Sequence, residues 1–412
     1  MNLNPVVLAI PMYFILMGLE LGFEAITRRK TYRFNDAITN INTGVLSQLT
    51  GTFFKLFKVG IYVVIFEQFA FFHLADNWIS FIVLFILFDL CYYWEHRMAH
   101  SVNLFWGGHS VHHQSEDYNL SVALRQSSTA FIWGFPFYLP LALMGFDPVQ
   151  FVIIGGLNLL YQFWIHTEHI NKLPKWFEAV LNTPSHHRVH HGRDPKYIDK
   201  NYAGVFIIWD RLFGTFKQEE ERPHYGITTP LKSWNPVYAN FAHYIDLFAT
   251  VKQARNVGDG VKILFNKPGW QPDYMGGYIA PQKVAVGYRK YDTLNTTFIN
   301  LYVFFQFVGA LLVGSYFLFN VDAFSIAGKT LMVSWVIGTT IMFGYLFETN
   351  KWWLSLLEVV RLLCLPMLLF FLVKDGMELP FWSVGLGAVF GGLSLLIFLT
   401  LDKRQKVEML AK

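Results

Sequence analysis

The chain has few charged residues and few cysteines. Only 15% of its 412 residues are Asp, Glu, Lys or Arg, against about 25% in an ordinary soluble domain. The two cysteines, Cys91 and Cys364, both lie within apolar runs. These features exclude a disulfide framework and a thiolate metal centre as the main chemistry, and we expect no nucleic-acid partner.

Much of the chain consists of long apolar runs. Hydrophobic residues make up 53% of the chain and aromatic residues 18%, and a helix needs about 20 apolar residues to cross a bilayer. The sequence therefore predicts an all-α polytopic membrane protein, a helical transmembrane bundle. Five predicted spans lie in the N-terminal half and four in the C-terminal third, and the pair in 131–166 is either a hairpin of two spans or a re-entrant pair. The predicted ranges are 5–26, 45–72, 79–93, 131–166, 296–319, 327–346, 353–374 and 381–401.

Basic residues predict how the chain is oriented. Arg28, Arg29 and Lys30 follow the first span, and such clusters stay on the cytoplasmic side. The third span then delivers Glu95 and the histidines after it to the cytoplasmic rim. The predicted segments are N-terminal transmembrane helices (1–78), a catalytic domain with a cytoplasmic histidine-rich di-metal cap (79–220), a cytoplasmic linker region (221–290) and a C-terminal transmembrane bundle (291–412).

Histidines are concentrated in one part of the chain. Eleven of the 14 fall between positions 96 and 191, in the clusters HRMAH, HSVHH, HTEH and HHRVHH. Histidines three or four residues apart share one face of a helix, and neutral imidazole is the commonest protein metal ligand. About ten nitrogens suit two ions better than one, and redox-active iron would allow such a pair to activate dioxygen. The predicted metal ligands are His96, His100, His109, His112, His113, His166, His169, His187, His190 and His191.

Two glutamates lie inside these clusters. Glu95 precedes His96, and Glu168 separates His166 from His169. A metal-bound histidine usually donates its second N–H to a carboxylate or a carbonyl, which fixes its tautomer. Glu95 and Glu168 are therefore the predicted catalytic carboxylates, while the residues that bind an organic cofactor stay unknown.

The order of the histidine clusters resembles a known superfamily. HxxxH at 96–100, HxxHH at 109–113 and HxxHH at 187–191 are similar to the boxes of the fatty acid hydroxylase and sterol desaturase superfamily. The resemblance covers about residues 80–220. It implies an integral-membrane, non-haem, oxygen-dependent enzyme with two iron ions, which acts on a lipid that arrives from the bilayer.

Longer segments resemble one branch of that superfamily. EDYNLSVALRQS, LLYQFWIHTEHI and LNTPSHHRVHHGRDPKYIDKNYAGV look like the alkylglycerol monooxygenase branch. The resemblance implies oxidation of the alkyl ether carbon of glyceryl ethers with tetrahydrobiopterin as reductant, and release of a fatty aldehyde. It implies the inner membrane for a bacterial protein and the endoplasmic reticulum for a eukaryotic one.

Two alternatives stay open at this point. Within the superfamily, the enzyme is a hydroxylase or desaturase of sterols, carotenoids or fatty acyl chains, with electrons from a redox protein rather than a pterin. Outside it, histidine clusters also line some divalent-metal transporters. A transporter needs ligands near the bilayer midplane, whereas these clusters fall outside the predicted spans.

Overall fold

The structure is a computed structural model that describes residues 8–349, 352–374 and 382–410. Over those ranges the backbone forms helices and loops, with a single antiparallel bridge between Gly192 and Tyr225. The helices are α1 Ile10–Thr27, α2 Phe34–Phe69, α3 Trp78–Ser101, α4 Asn103–His113, α5 Leu120–Ala123, α6 Ala130–Gly134, α7 Leu139–Leu143, α8 Pro148–Trp164, α9 Lys175–Val180, α10 Pro184–His190, α11 Ile208–Leu212, α12 Pro236–Val251, α13 Val257–Phe265, α14 Thr297–Phe319, α15 Ile326–Glu348, α16 Trp352–Lys374 and α17 Trp382–Leu410. The predicted all-α fold is confirmed.

Six of the described helices are long and apolar enough to cross a membrane. They are α1, α3, α14, α15, most of α16 and the first part of α17. The two arms of α2, which meet at 46°, make a seventh if they count as one span. The protein is therefore a multi-pass membrane protein. The predicted starts of the first and last spans, at 5 and 381, lie outside the described residues.

The hairpin formed by residues 130–164 accounts for the two remaining predicted spans. Its arms, Ala130–Leu143 and the 17-residue α8, are shorter than the roughly 20 residues of a full crossing. By length and composition the described residues therefore hold seven candidate spans at most rather than nine, and the hairpin stays either two short spans or a re-entrant pair. Its tip packs on the loop between α2 and α3, because the Phe71 N–H donates to the Leu143 carbonyl at 2.7 Å.

Helix α8 runs beside α3 and brings its C-terminal end back to the histidines. The Asn158 amide donates to Asp89 at 2.7 Å, and the Tyr92 hydroxyl donates to Gln162 at 2.7 Å one turn further along. The buried Asp89 also accepts the backbone N–H of Val205 at 2.8 Å. Polar groups inside a membrane protein need such partners, and these bonds attach both α8 and the chain after α10 to α3.

One apolar core continues across the predicted segments. A buried cluster joins Ile38, Leu120, Trp234 and Phe343, which come from the N-terminal helices, the histidine region, the linker and the C-terminal bundle. Burial of apolar side chains contributes roughly 25 cal/mol per Å². The histidine region and the C-terminal bundle are therefore packed together rather than separated by a flexible connection.

The C-terminal bundle buries an ion pair. From the sequence, Glu358 and Arg361 lie near the end of a predicted span, so we expect their side chains to reach the membrane surface. In the structure both residues are buried, with 0% and 7% of their surfaces exposed. The Arg361 guanidinium donates to Glu358 at 2.7 Å and to Gln306 on α14 at 2.7 Å. Tyr302 donates to the same carboxylate. The pair therefore links α14 to α16 inside the bundle.

Candidate metal centre

Four elements deliver the clustered histidines to one place. His96 and His100 lie on α3, three more lie on α4, His166 follows α8, and the last box lies on and just after α10. Within each helix the i, i+3 and i+4 spacing puts the imidazoles on one face. The histidines come together because α4 follows α3 directly and α8 returns alongside α3.

Five imidazoles form a first group. Its members are His96, His100, His109, His113 and His190, and one ligand atom from each lies within 4.8 Å of the others. The Nε2 atom of His109 lies 2.8 Å from that of His96 and 3.1 Å from that of His113. His190 Nε2 lies 3.1 Å from His113 Nε2.

Four imidazoles form a second group beside the first. Its members are His112, His166, His187 and His191. The Nε2 atom of His166 lies 3.2 Å from that of His112 and 3.0 Å from that of His187. The rings of His113 and His191 stack across the boundary, with centroids 4.4 Å apart. The arrangement is therefore a pair of adjacent sites, each built only from histidine.

The spacing within each group fits a shared cation. Two nitrogens bound at about 2.1 Å to one ion and separated by about 90° lie roughly 3.0 Å apart. The six Nε2–Nε2 distances along the two groups run from 2.8 to 3.2 Å. Each group therefore has the spacing of one coordination shell.

The tautomers of the imidazoles also indicate a bound cation. His112 donates its Nδ1–H to the Arg125 carbonyl at 3.0 Å, and His166 donates its Nδ1–H to the Gln162 carbonyl at 2.7 Å. In a neutral ring the Nε2 atom then carries a lone pair and no proton. The two Nε2 lone pairs face each other at 3.2 Å, an arrangement that is repulsive unless a cation lies between them.

Burial keeps these rings neutral. Removal from water lowers the pKa of His112 to about 4, and burial together with the neighbouring imidazoles lowers the pKa values of His113 and His191 well below their ordinary range. Desolvation disfavours the charged form of histidine. Neutral imidazole is the form that binds a metal.

One predicted ligand lies outside both groups. His169 is half-buried, and its ring meets the ring of Phe23 edge-on, with centroids 5.1 Å apart. Among the described residues, neither of its buried ring nitrogens has a hydrogen-bond partner. The other nine predicted ligands fall within the two groups.

The two predicted carboxylates contact tyrosines. Glu95 accepts a hydrogen bond from Tyr138, and Glu168 accepts one from Tyr225 and lies 3.3 Å from the Arg222 guanidinium. The expectation that they orient imidazoles therefore has no counterpart among the hydrogen bonds of the described residues. Their catalytic role stays a prediction.

Backbone carbonyls orient the imidazoles instead. His96 donates to the Tyr202 carbonyl at 2.7 Å and His190 to the Lys200 carbonyl at 3.0 Å, as His112 and His166 do to other carbonyls. The sequence did not predict these partners, because every residue has a carbonyl and no side chain marks the one that an imidazole will contact. Asp210 supports this loop, since it accepts the Tyr202 N–H at 2.8 Å.

We expect Asp210→Ala to weaken metal binding without removing a ligand. The change frees the Tyr202 N–H and lets the carbonyl that holds His96 shift. The expected result is a loss of about 10–100-fold in metal affinity, measured by metal retention against a chelator series, with activity recovered by excess metal. The control is Asp194→Ala, which removes a carboxylate that is hydrogen-bonded to the exposed His224. Equal retention by both variants would contradict the prediction.

Comparisons with known proteins agree with the site. Residues 81–215 match the family model described as fatty acid hydroxylase. No solved structure matches the chain. A rat lathosterol oxidase is 31% identical over 162 residues, which cover 36% of this chain and 51% of that protein.

More extensive similarity is found with proteins named alkylglycerol monooxygenase. The human protein is 39% identical over 366 residues, covering 87% of this chain and 81% of its own length. The zebrafish protein (Danio rerio) is 38% identical over 356 residues, with 85% and 79% covered. The Caenorhabditis elegans protein is 30% identical over 366 residues, with 82% and 71% covered. The predicted resemblance is confirmed, the transporter alternative finds no support, and the chain belongs to the alkylglycerol monooxygenase family of oxidoreductases.

Proposed function

We propose that the protein is a membrane-bound di-iron monooxygenase that hydroxylates the alkyl carbon next to the ether oxygen of alkylglycerols. The observation that carries this proposal is the pair of adjacent, largely buried, all-histidine groups, whose neighbouring Nε2 atoms lie 2.8–3.2 Å apart. The similarity to relatives named for that reaction, over more than four-fifths of the chain, supports the choice of substrate. Imidazole ligands suit iron as well as zinc and copper.

The proposed reaction balances with dioxygen and a two-electron reductant. When bound, the iron pair supplies the redox chemistry that reduces O₂ and inserts one oxygen atom into the C–H bond. The second oxygen atom leaves as water, with two protons and two electrons from the reductant, for which we propose tetrahydrobiopterin. The resulting hemiacetal breaks its bond to the glycerol oxygen, and a fatty aldehyde and a glycerol are released.

The chain holds and shields the ions. The nine imidazoles of the two groups, eight of them buried and His109 partly exposed, are the proposed iron ligands. The tenth predicted ligand, His169, lies outside both groups. Carbonyl partners on Nδ1 keep four of the Nε2 atoms, those of His96, His112, His166 and His190, free for a metal. Exclusion of water around the site prevents side reactions of a reactive oxidant.

The proposed organisation follows the same reasoning. Residues 79–220 are the proposed catalytic segment, between N-terminal helices (1–78), a linker region (221–290) and a C-terminal bundle (291–412). The basic cluster Arg28–Lys30 after the first span supports the proposal that the histidine groups face the cytoplasm. The membrane is the inner membrane in a bacterium or the endoplasmic reticulum in a eukaryote.

The test is metal content combined with an oxygen-dependent assay. We expect two irons per chain in the purified protein, and aldehyde release from an alkylglycerol only when O₂ and tetrahydrobiopterin are both present. Removal of iron with a chelator should abolish turnover, and added iron should restore it. Fully occupied protein that contains only zinc and shows no iron-dependent turnover would overturn the proposal.

A second candidate function rests on the lathosterol oxidase similarity across 36% of the chain. It is the hydroxylation or desaturation of a sterol, a carotenoid or a fatty acyl chain, with electrons from a redox protein. Lipid products of expressing cells separate the two functions. Fatty aldehyde from a labelled alkylglycerol supports ether cleavage, and a hydroxylated or unsaturated chain supports the alternative.

A further inference from the structure

Two helices of the linker region, α12 and α13, carry large apolar side chains on their outer faces. On each helix these side chains are spaced three or four residues apart, and at about 100° per residue they cover an arc of roughly 80°. All of them are exposed. We call this set the outer stripe, and its members are Tyr238, Phe241, Ile245 and Phe248 on α12 and Val257, Val261 and Phe265 on α13.

The inner face of α12 is polar where it packs against the rest of the protein. Asn240 accepts the backbone N–H of Ser128 at 2.8 Å, and the His243 ring donates to the Asn103 carbonyl at 2.9 Å. The Tyr244 hydroxyl accepts the indole N–H of a tryptophan on α6 at 2.9 Å. A surface helix of a soluble protein has the reverse pattern, with apolar residues inward and polar residues outward. An outward apolar stripe of this extent marks a contact with lipid or protein rather than with water.

Hydrogen bonds fix both helices at the level where a membrane span ends. The candidate span α3 ends at Ser101, and Asn103 follows two residues later. The Asn103 backbone N–H donates to the Asn266 carbonyl at 2.8 Å, and its side-chain amide donates to the Ile263 carbonyl at 3.0 Å on α13. Its own carbonyl accepts His243 of α12. The outer stripe therefore lies close to the boundary of the bilayer, and lipid is the surface nearest to it.

Charge on these helices also favours a lipid surface. Between positions 236 and 267 there are two acidic residues, Asp246 and Asp259. The basic residues of the same stretch are all exposed, and they are Lys252, Arg255, Lys262 and Lys267. Amphipathic helices with basic residues beside an apolar face lie in the membrane interface and are attracted to anionic lipids. With 16 residues, α12 is too short to cross a bilayer, which needs about 20.

We propose that α12 and α13 lie in the plane of the membrane at the boundary where α3 ends, with the outer stripe among the acyl chains and the basic residues at anionic lipid headgroups. This part of the linker region is then embedded in lipid rather than free in the cytoplasm. Because α12 is bonded to the start of α4 through His243 and Asn103, the lipid contact also anchors the helix that carries three of the clustered histidines.

The first test measures what surrounds the outer stripe. Full-length protein with Cys91→Ala and Cys364→Ala receives one new cysteine, as Phe241→Cys, Ile245→Cys or Val261→Cys, and a nitroxide spin label. The labelled protein is placed in vesicles of phosphatidylcholine and phosphatidylserine. Electron paramagnetic resonance then compares collisions with oxygen, which concentrates in the acyl region, and with a water-soluble nickel chelate. We expect all three labels to collide mainly with oxygen.

The matched control is Val286→Cys, at a fully exposed valine of the same linker region outside both helices. Its label should collide mainly with the nickel chelate. Outer-stripe labels that are as accessible to nickel as the Val286→Cys label would overturn the proposal. Labels shielded from both reagents, or broadened by a second label nearby, would also overturn it, because a protein partner or a second copy of the chain would then cover the stripe. Metal content shows that each labelled protein is folded.

The second test measures the attraction to anionic lipid. The nickel accessibility of the Val261→Cys label should be lower in vesicles that contain phosphatidylserine than in phosphatidylcholine alone. This difference should be lost when all four basic residues are reversed, and Lys283→Glu, an exposed basic position outside both helices, should leave it unchanged. The reversed residues are Lys252→Glu, Arg255→Glu, Lys262→Glu and Lys267→Glu. Equal accessibility in the two lipid mixtures without the charge reversal would overturn the assignment to anionic lipid.

Discussion

Replacing His166 with alanine is expected to empty the second histidine group of metal and to abolish turnover. His166 Nε2 lies 3.2 Å from His112 Nε2 and 3.0 Å from His187 Nε2, so its loss removes a central member of a four-histidine shell. Loss of a group that only hydrogen-bonds to a metal ligand lowers metal affinity or activity by about 10–100-fold. Loss of a ligand itself should have a larger effect. Metal per chain, by elemental analysis, and aldehyde release from an alkylglycerol are the two measurements.

The matched control is His169→Ala, three residues further along the same HTEH segment. Its ring packs on Phe23 and lies outside both histidine groups, so iron content and turnover should stay within about twofold of wild type on this reasoning. If His169→Ala lost metal as completely as His166→Ala, the two-group arrangement would be wrong and His169 would be a ligand. If the His166→Ala protein still held two irons per chain, His166 would not be a required ligand and the prediction would be wrong.

The grouping of the imidazoles could be predicted from the sequence because it depends on local geometry. Spacing of three or four residues fixes which rings share a helix face, and the order of the boxes indicates that they meet. The division into two groups could not be predicted. Adjacent His112 and His113 fall into different groups, since neighbouring residues on a helix point about 100° apart and here each faces a different partner.

Long-range polar contacts were the other limit of the sequence reasoning. Asp89 carries no motif, yet it attaches both α8 and the segment near Val205 to α3. The carbonyls of Tyr202 and Lys200 hold two imidazoles, and a sequence does not identify which carbonyl a ring will meet. The hairpin shows a related difficulty, because apolar length alone does not distinguish a full span from a shorter re-entrant arm.

The buried pair in the C-terminal bundle leads to the largest expected effect on stability. Arg361→Met removes the partner of a carboxylate with no exposed surface, and breaking a buried pair in this way costs about 3–5 kcal/mol. We expect a marked fall in the melting temperature of the purified protein in detergent.

The physical cause of that loss can be isolated by removing the whole polar network. The combined variant Tyr302→Phe/Gln306→Leu/Glu358→Leu/Arg361→Met removes both charges together with the hydroxyl and the amide that bond to them, and apolar replacement of a buried pair is often neutral or stabilising. We therefore expect it to recover most of the stability. Lys217→Met, which breaks an exposed pair with Glu220, should cause no measurable change. If the combined variant were as unstable as Arg361→Met, the network itself would specify the packing of α14 on α16, and the uncompensated charge would not explain the loss.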